Sequence, residues 1–409
     1  MADFGGDQEA LRTEARAWIE ENLPASLRDD PAAQTAAIMG ARPTPDAALW
    51  IRRMGEKGWG TPTWPRAYGG GGLTQAQARV VAEEMAALGA RNPIGGMGVM
   101  MFGPTLLEVG TEAQKQRHIP PIVRGEIRWC QGYSEPGAGS DLASLQTRCE
   151  DKGDHWLVNG QKIWTSGANL ADWCFCLVRT DTARKHEGIS FVLIDMRTDG
   201  VETRPIRLIN GASPFCETFF TDVKVPKENL MGPLNGGWTI AKRLLQFERQ
   251  AISTSLGAGG SPAMGQATGR LQDLATRYVG LDDAGRLADA DLRRRLARHQ
   301  MEARAFQLTT RRVSLEASSN QGPSAATSIT KYAGARLAQD RTELAVEIMG
   351  HQALGWDGEG FEAAELGTTR AWLRSKANSI EGGTSEVNLN VVAKRVLGLP
   401  DPKRAPDAI

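Results

Sequence analysis

Tyr133-Ser134-Glu135-Pro136-Gly137-Ala138-Gly139-Ser140-Asp141 is followed further along the chain by Lys162-Ile163-Trp164-Thr165-Ser166-Gly167-Ala168. The first stretch reads as a Pro/Gly turn in which Gly137 and Gly139 take positive φ and let backbone N–H groups approach a ligand, with Ser134 and Ser140 as short donors. Such a turn suits carbonyl or phosphate oxygens. The second reads as a strand whose Trp164 offers a flat apolar face to a planar ring, with Ser166 as a hydrogen-bonding neighbour. A Gly-rich turn is commonly just a turn, and a strand Trp commonly sits in a core. Their joint occurrence, in this order and at this spacing, points to one ligand site built from two segments of a β-rich region.

Outward from that region the texture changes on both sides. From Gln8 to about Ile127 apolar residues recur at helical spacing, as in Leu11, Ala15, Trp18 and Ile19, or Val80, Val81, Met85 and Leu88. Gly69-Gly70-Gly71-Gly72 interrupts this third and reads as a flexible loop. From about Arg128 short β-rich runs follow: Trp156–Val158, Lys162–Thr165, Trp173–Arg179, Ile189–Asp195, Glu202–Ile209 and Phe215–Val225. These suggest a small barrel or sandwich. After Pro226 and the turn region Gly232–Gly237, helical periodicity returns to about Leu397, with a break at Gly257–Pro262 and a frayed tail from Pro400. Helices, then strands, then helices, without βαβ alternation, argue against a dinucleotide-binding sheet.

The 409 residues are too many for one core, and Lys plus Arg equals Asp plus Glu at 48 each, so no net basic field exists for nucleic acid or an anionic membrane. The five cysteines (130, 149, 174, 176, 216) lack metal-finger spacing and read as buried free thiols in a reducing cytoplasm. The N-terminus lacks a basic run with a following apolar stretch, and no window approaches about 18 unbroken apolar residues, so the expected location is cytoplasmic.

Two further segments carry candidate chemistry. Leu244-Leu245-Gln246-Phe247-Glu248-Arg249-Gln250-Ala251-Ile252 reads as an amphipathic helix in which Glu248 projects from the apolar stripe, three and four residues from Leu244, Leu245, Ala251 and Ile252. A carboxylate desolvated there has its pKa raised toward neutrality, where a general base works. The alternative is a buried Glu satisfied by a side chain of another helix. Ile380-Glu381-Gly382-Gly383-Thr384-Ser385-Glu386-Val387 reads as a Gly-Gly turn feeding a helix capped by Thr384, running through Val387, Val391, Val392 and Arg395. Glu381 is a second candidate carboxylate, or a solvated loop charge.

In this order the four segments resemble the acyl-CoA dehydrogenase family, from about residue 8 to Pro400. The resemblance implies a mainly α fold with a central β-domain: an N-terminal helical domain (1–127), a middle β-domain of barrel form (128–232) and a C-terminal four-helix bundle (233–409), usually tetrameric. It implies FAD, with Tyr133, Ser134 and Ser140 along the flavin and acyl-CoA edge, Trp164 and Ser166 flanking the ring, and Thr384 and Glu386 reaching the cofactor. Ser140, Arg249, Gly382, Gly383 and Thr384 would face the substrate. Many members carry the catalytic glutamate directly before the Gly-Thr, which here is Gly382. A smaller set carries it on a bundle helix just before an arginine, and Glu248 occupies that place. The implied reaction is α,β-dehydrogenation of an acyl-CoA thioester to a trans-2-enoyl-CoA, with electrons passing to an electron-transfer flavoprotein. An oxidase, monooxygenase or desulfinase on the same fold, or an FAD-poor partner subunit, are the alternatives.

Three departures stand out. The family's Arg-x-x-Phe-Gly reads Arg277-Tyr278-Val279-Gly280-Leu281, its Gly-Gly-x-Gly reads Gly350-His351-Gln352-Ala353, and the arginine after the Gly-Thr motif is Leu389. They resemble bacterial members acting on bulky or dicarboxylic acyl groups, some of which form mixed tetramers. His351 reads as a structural or solvated residue.

Overall fold

The computed structural model describes residues 6–257, 270–319 and 327–400, and the expected break at 257–262 and the tail beyond Pro400 lie outside them apart from Gly257. Two compact units are formed, one by Met1–Ile206 with Pro214–Leu245 and one by Arg207–Ser213 with Gln246–Ile409.

The first unit begins with α1 (Gly6–Asn22), α2 (Pro31–Thr35), α3 (Pro45–Lys57), α4 (Gln75–Ala87), α5 (Gly103–Val109) and α6 (Glu112–Val123). Thr44 caps α3 ahead of Pro45, and Thr74 and Thr111 close reciprocal capping boxes with Gln77 and Gln114. Ala15, Ile19, Trp50, Met54, Val81 and Met85 form the helical core. The polyglycine run is not a flexible loop. Gly70, Gly71 and Gly72 donate to Pro65, Thr61 and Trp64 carbonyls at 2.8–3.2 Å. A Cβ on Gly70 would lie 2.4 Å from the Trp64 carbonyl oxygen. Glycine is required because backbone packs on backbone. Gly70→Ala is expected to destabilise the protein by roughly 1–3 kcal/mol, read by chemical denaturation, and an unchanged midpoint would refute this packing.

The strands are β1 (Trp129–Gly132), β2 (Arg148–Asp151), β3 (His155–Ser166), β4 (Trp173–Arg179), β5 (Ile189–Asp195), β6 (Val201–Ile206) and β7 (Phe215–Pro226). They make one seven-stranded sheet, in which β5 pairs antiparallel with β4 and the path runs on through β2, β3, β7 and β6. β1 pairs with β4 in parallel on the edge that β5 leaves open. Residues of six strands, among them Cys130, Cys149, Val158, Cys176, Val192 and Val223, meet in one core, so the sheet curls round a single face. All five cysteines lie in that core as free thiols. Burial, with a lesser push from Cys176, drives the Cys149 thiol up to about 12, so it is inert at neutral pH.

The other face of β4 and β5 is buried too. Phe102 stacks on Trp129 with centroids 3.8 Å apart, and Phe175 lies parallel to Phe102 and Phe191. Buried faces on both sides explain why β4 and β5 read as continuous apolar runs.

The second unit contains α8 (Leu271–Tyr278), α9 (Ala290–Ser319), α10 (Thr327–Met349), α11 (Ala363–Ser375) and α12 (Ser385–Val391), while α7 (Gly237–Gly257) enters it at Gln246. Its core includes Leu271, Leu292, Leu296, Leu344, Ala345 and Ile348. Among the described residues no helix is long and apolar enough to cross a membrane.

Candidate active site

The turn and the strand singled out in the sequence are joined directly. Ser134 accepts a hydrogen bond from the Ile163 N–H at 2.9 Å. Beneath that contact Lys162, 0% exposed, donates to the Tyr133 carbonyl at 3.1 Å and to Glu135 Oε1 at 2.8 Å. Glu135, 8% exposed, also accepts the backbone N–H groups of Gln146 (2.6 Å) and Thr147 (2.9 Å). Burial pushes the Glu135 carboxyl up, but the Lys162 charge and the hydrogen bonds it receives together outweigh this and hold it below the usual range. This buried ion pair clamps three segments of the sheet.

The turn is closed by reciprocal backbone bonds between Glu135 and Ala138. The expected positive φ at Gly137 and Gly139 is absent: left-handed glycines nearby are Gly160 and Gly167. Glycine serves another purpose here. A Cβ on Gly137, Gly139 or Gly167 would meet no heavy atom within 4 Å, so the backbone stays bare toward open space. An open recess lined by Glu135, Pro136, Gly137, Ser144, Gln146, Thr147, Gly160 and Gln161 adjoins the turn.

Trp164 is set by an irregularity of the strand. The β3–β7 register slips between Lys162 and Thr165, and Trp164 sits there at φ +60°. A non-glycine residue in that region stores strain of about 1–3 kcal/mol, held by the structure around it. The result is an indole 52% exposed, edge-on to Phe215 at 6.0 Å. Ser166, half-buried, pairs with Phe215 across the sheet, and Ser140 is exposed. Tyr133 differs from its expected role at the edge: its ring is buried edge-on to Phe175 and Phe191, because the aromatic layer claims it, and it forms the wall behind the turn. An exposed aromatic face, bare backbone and short hydroxyls fit a planar cofactor with polar edges.

In the second unit Glu248 is half-buried on α7, one turn beyond buried Leu244. The side chains of Arg249, Ala251 and Ile252 lie outside the described residues. Glu248 does not sit against apolar groups alone: its charge acts on Lys331 of α10. Periodicity on one helix could not reveal a partner from another. Glu381 is held by Arg374, Nη2 to Oε2 2.6 Å, so its carboxylate is committed to an ion pair. Gly382 (φ +64°) and Gly383 (φ +92°) are both left-handed, and Thr384 Oγ1 caps α12 by accepting the Val387 N–H at 3.2 Å. The helix face differs from expectation. Asn388 is buried, its amide donating to the Gly383 and Thr384 carbonyls, while Val387, Leu389 and Glu386 are exposed. His351 is exposed in a 3-10 turn, as its sequence context suggests.

Three sequence profiles cover the chain: "Acyl-CoA dehydrogenase, N-terminal domain" matches residues 6–126, the middle domain 130–223 and the C-terminal domain 235–397. The chain is 34% identical over 407 residues to "Acyl-CoA dehydrogenase IpdE1" of Mycobacterium tuberculosis, covering 96% of this chain and 98% of that one. Among solved structures it is similar to "Tcur3481-Tcur3483 steroid ACAD" (TM-score 0.74, 30% identity, 97% and 98% of the two chains). It is also similar to the ChsE4-ChsE5 complex from Mycobacterium tuberculosis (TM-score 0.72, 29% identity, 98% and 100%).

Proposed function

The chain belongs to the acyl-CoA dehydrogenase family of FAD-dependent oxidoreductases, and on that premise we propose that it oxidises a bulky acyl-CoA thioester to the trans-2-enoyl-CoA, with Glu248 as the base. The observation that carries the cofactor half of this reading is the bulge that turns Trp164 outward beside the bare Gly137–Ser140 turn. FAD would be held by Ser134, Ser140, Trp164 and Ser166, with Tyr133 behind, and by Thr384 and Glu386. When bound, it supplies the acceptor for the β-hydrogen. Everything else falls to this chain's residues. Glu248 takes the pro-R α-proton, and the substrate contact expected of Arg249, its neighbour in sequence, belongs to the same proposal. An α-proton is too weakly acidic for a carboxylate unless the thioester oxygen is stabilised as charge develops. The Thr384 N–H supplies that hydrogen bond, and Gly382 and Gly383, both left-handed, let the thioester approach the turn. Glu381 pairs with Arg374 and lies one residue before the position the family uses, so Glu248 is the carboxylate assigned as the base.

The division into 1–127, 128–232 and 233–409 belongs to the same proposal, as do a cytoplasmic location and an electron-transfer flavoprotein as acceptor. A tetramer, usual in the family, is part of the proposal too. The names of the similar two-chain complexes favour a mixed one, in which a homologous chain supplies the pyrophosphate contact that Arg277-Tyr278-Val279-Gly280-Leu281 lacks. The likeness to a protein named a steroid ACAD favours a bulky ring-bearing acyl group.

The expected result is a yellow protein with stoichiometric FAD, alone or with a homologous chain. Its flavin is bleached anaerobically by a ring-bearing acyl-CoA faster than by straight short-chain or dicarboxylic thioesters. A colourless protein that cannot be reconstituted points to a silent subunit. Reduced flavin consumed rapidly by O₂, without acyl-CoA preference, points to an oxidase. Full FAD occupancy in a homotetramer rejects the mixed assembly.

A further inference from the structure

Asn388, in the first turn of α12, is 4% exposed. Its side-chain amide donates to the Gly383 carbonyl at 3.0 Å and to the Thr384 carbonyl at 2.9 Å. Two acceptors fix which end of the amide faces them, since only its nitrogen donates. The Thr384 carbonyl also takes the Asn388 backbone N–H at 3.0 Å, an ordinary first-turn helix bond. The Gly383 carbonyl carries the consequence. It shares a peptide unit with the Thr384 N–H, and in a planar trans unit the two point opposite ways. Among the described residues no peptide bond is cis. With the carbonyl turned onto buried Asn388, the Thr384 N–H points away from that side chain, beside an exposed Gly383. The turn needs such a hold. Gly382 and Gly383, at φ +64° and +92°, have no Cβ to resist rotation of the peptide that follows them. A Cβ on Gly383 would lie 3.3 Å from Asn388 Nδ2, so the amide packs closely against the glycine.

The geometry points to Asn388 as a positioning residue for the oxidation: by holding the Gly383 carbonyl it keeps the Thr384 N–H turned outward for the thioester oxygen. The inference rests on the reading above in which that N–H bonds the thioester oxygen. A donor aimed in advance stabilises developing charge without reorganising during the reaction, whereas a peptide that rotates loses part of that stabilisation. The freedom that lets the thioester approach two glycines is thus checked by one side chain of the helix they feed.

The test is made in the assembled holoenzyme. Asn388→Asp is nearly isosteric and at neutral pH replaces both donors by an acceptor that repels the two carbonyls. Anaerobic flavin reduction by saturating cyclohexylpropanoyl-CoA is expected to slow by roughly 10- to 100-fold, at or below the low end of the about 10²–10³ that deleting such a donor costs. The half-saturation concentration stays near that of wild type. Asn388→Gln keeps the donating nitrogen and recovers part of the rate. The second readout is the infrared carbonyl band of bound cyclohexylpropenoyl-CoA labelled with carbon-13 at the thioester carbon, which a hydrogen bond lowers. It moves up in Asn388→Asp. A role confined to capping the helix would lower the denaturation midpoint and leave that band in place. If Asn388→Asp does not fold, Asn388→Ala carries the same comparison. An unmoved band with an unchanged rate at saturation overturns the proposal. Thr384→Pro tests the reading beneath it, because φ −63° at Thr384 already suits proline, which has no N–H. If that variant leaves the band in its wild-type place, the thioester oxygen is not on the Thr384 N–H and both readings fail. A band moved by Thr384→Pro but not by Asn388→Asp rejects the asparagine alone.

Discussion

Glu248→Gln is expected to slow flavin reduction by acyl-CoA by roughly 10²-fold or more, the usual consequence of losing a positioned general base. The substitution keeps shape and volume, and Glu248 is half-buried beside Leu244 and Leu245, so fold and flavin content should survive. Rapid mixing under anaerobic conditions, followed at the flavin absorbance, reads the step directly. Glu381→Gln is the control. Its carboxylate already serves Arg374, whose side chain is nearly buried, so the expected loss is a modest fall in stability with flavin reduction within a few-fold of wild type. If Glu381→Gln abolishes bleaching and Glu248→Gln leaves it intact, the turn carboxylate is the base and the assignment is wrong.

What could be read from the chain follows from the range over which each signal acts. β4 and β5 were legible because both faces of these strands are buried, which writes continuous apolar runs. β1 and β2 were not. Each has four residues, and β2 buries only Cys149 among Arg148, Glu150 and Asp151. β3 read as two strands because Asn159 and Gly160 interrupt its pattern where the register shifts. The helix cap at Thr384 is local chemistry and was readable as such. The site was legible only as residue types. Ser134 and Trp164 could be named, but nothing in the order of residues announces that Trp164 is left-handed or that Tyr133 turns inward. Lys162 and Lys331 are the clearest omissions. A lysine reads as a solvated charge, and these two are buried with partners from other segments of the chain, Glu135 for Lys162 and the Asn378 carbonyl for Lys331.

Lys162→Met should have the largest effect on stability of any single change in the cofactor region. Removing one partner of a buried ion pair leaves the other charge uncompensated and costs about 3–5 kcal/mol. Glu135 would remain beneath the turn with only the Gln146 and Thr147 N–H groups to satisfy it. The pH dependence identifies the cause. In the wild type Glu135 is held below its ordinary value, so its contribution is complete above the unfolded carboxylate range and is lost as pH falls through the lower folded value. In Lys162→Met burial dominates and the folded value rises. The carboxyl is then neutral and cheap to bury in acid, and increasingly unfavourable as pH climbs. Denaturation at pH 5 and pH 7.5 should therefore show the larger penalty at pH 7.5, the reverse of a simple packing defect, which is indifferent to pH. Lys162→Met combined with Glu135→Gln removes both charges while keeping an acceptor for the backbone N–H groups, so it should recover most of the loss at pH 7.5. Flavin content should fall with the single variant, because Lys162 fixes the Tyr133 carbonyl while Ile163 binds Ser134 and Trp164 follows in the bulge. A penalty equal at both pH values, with no recovery in the double variant, would mean that the pair does not hold the turn against the strand.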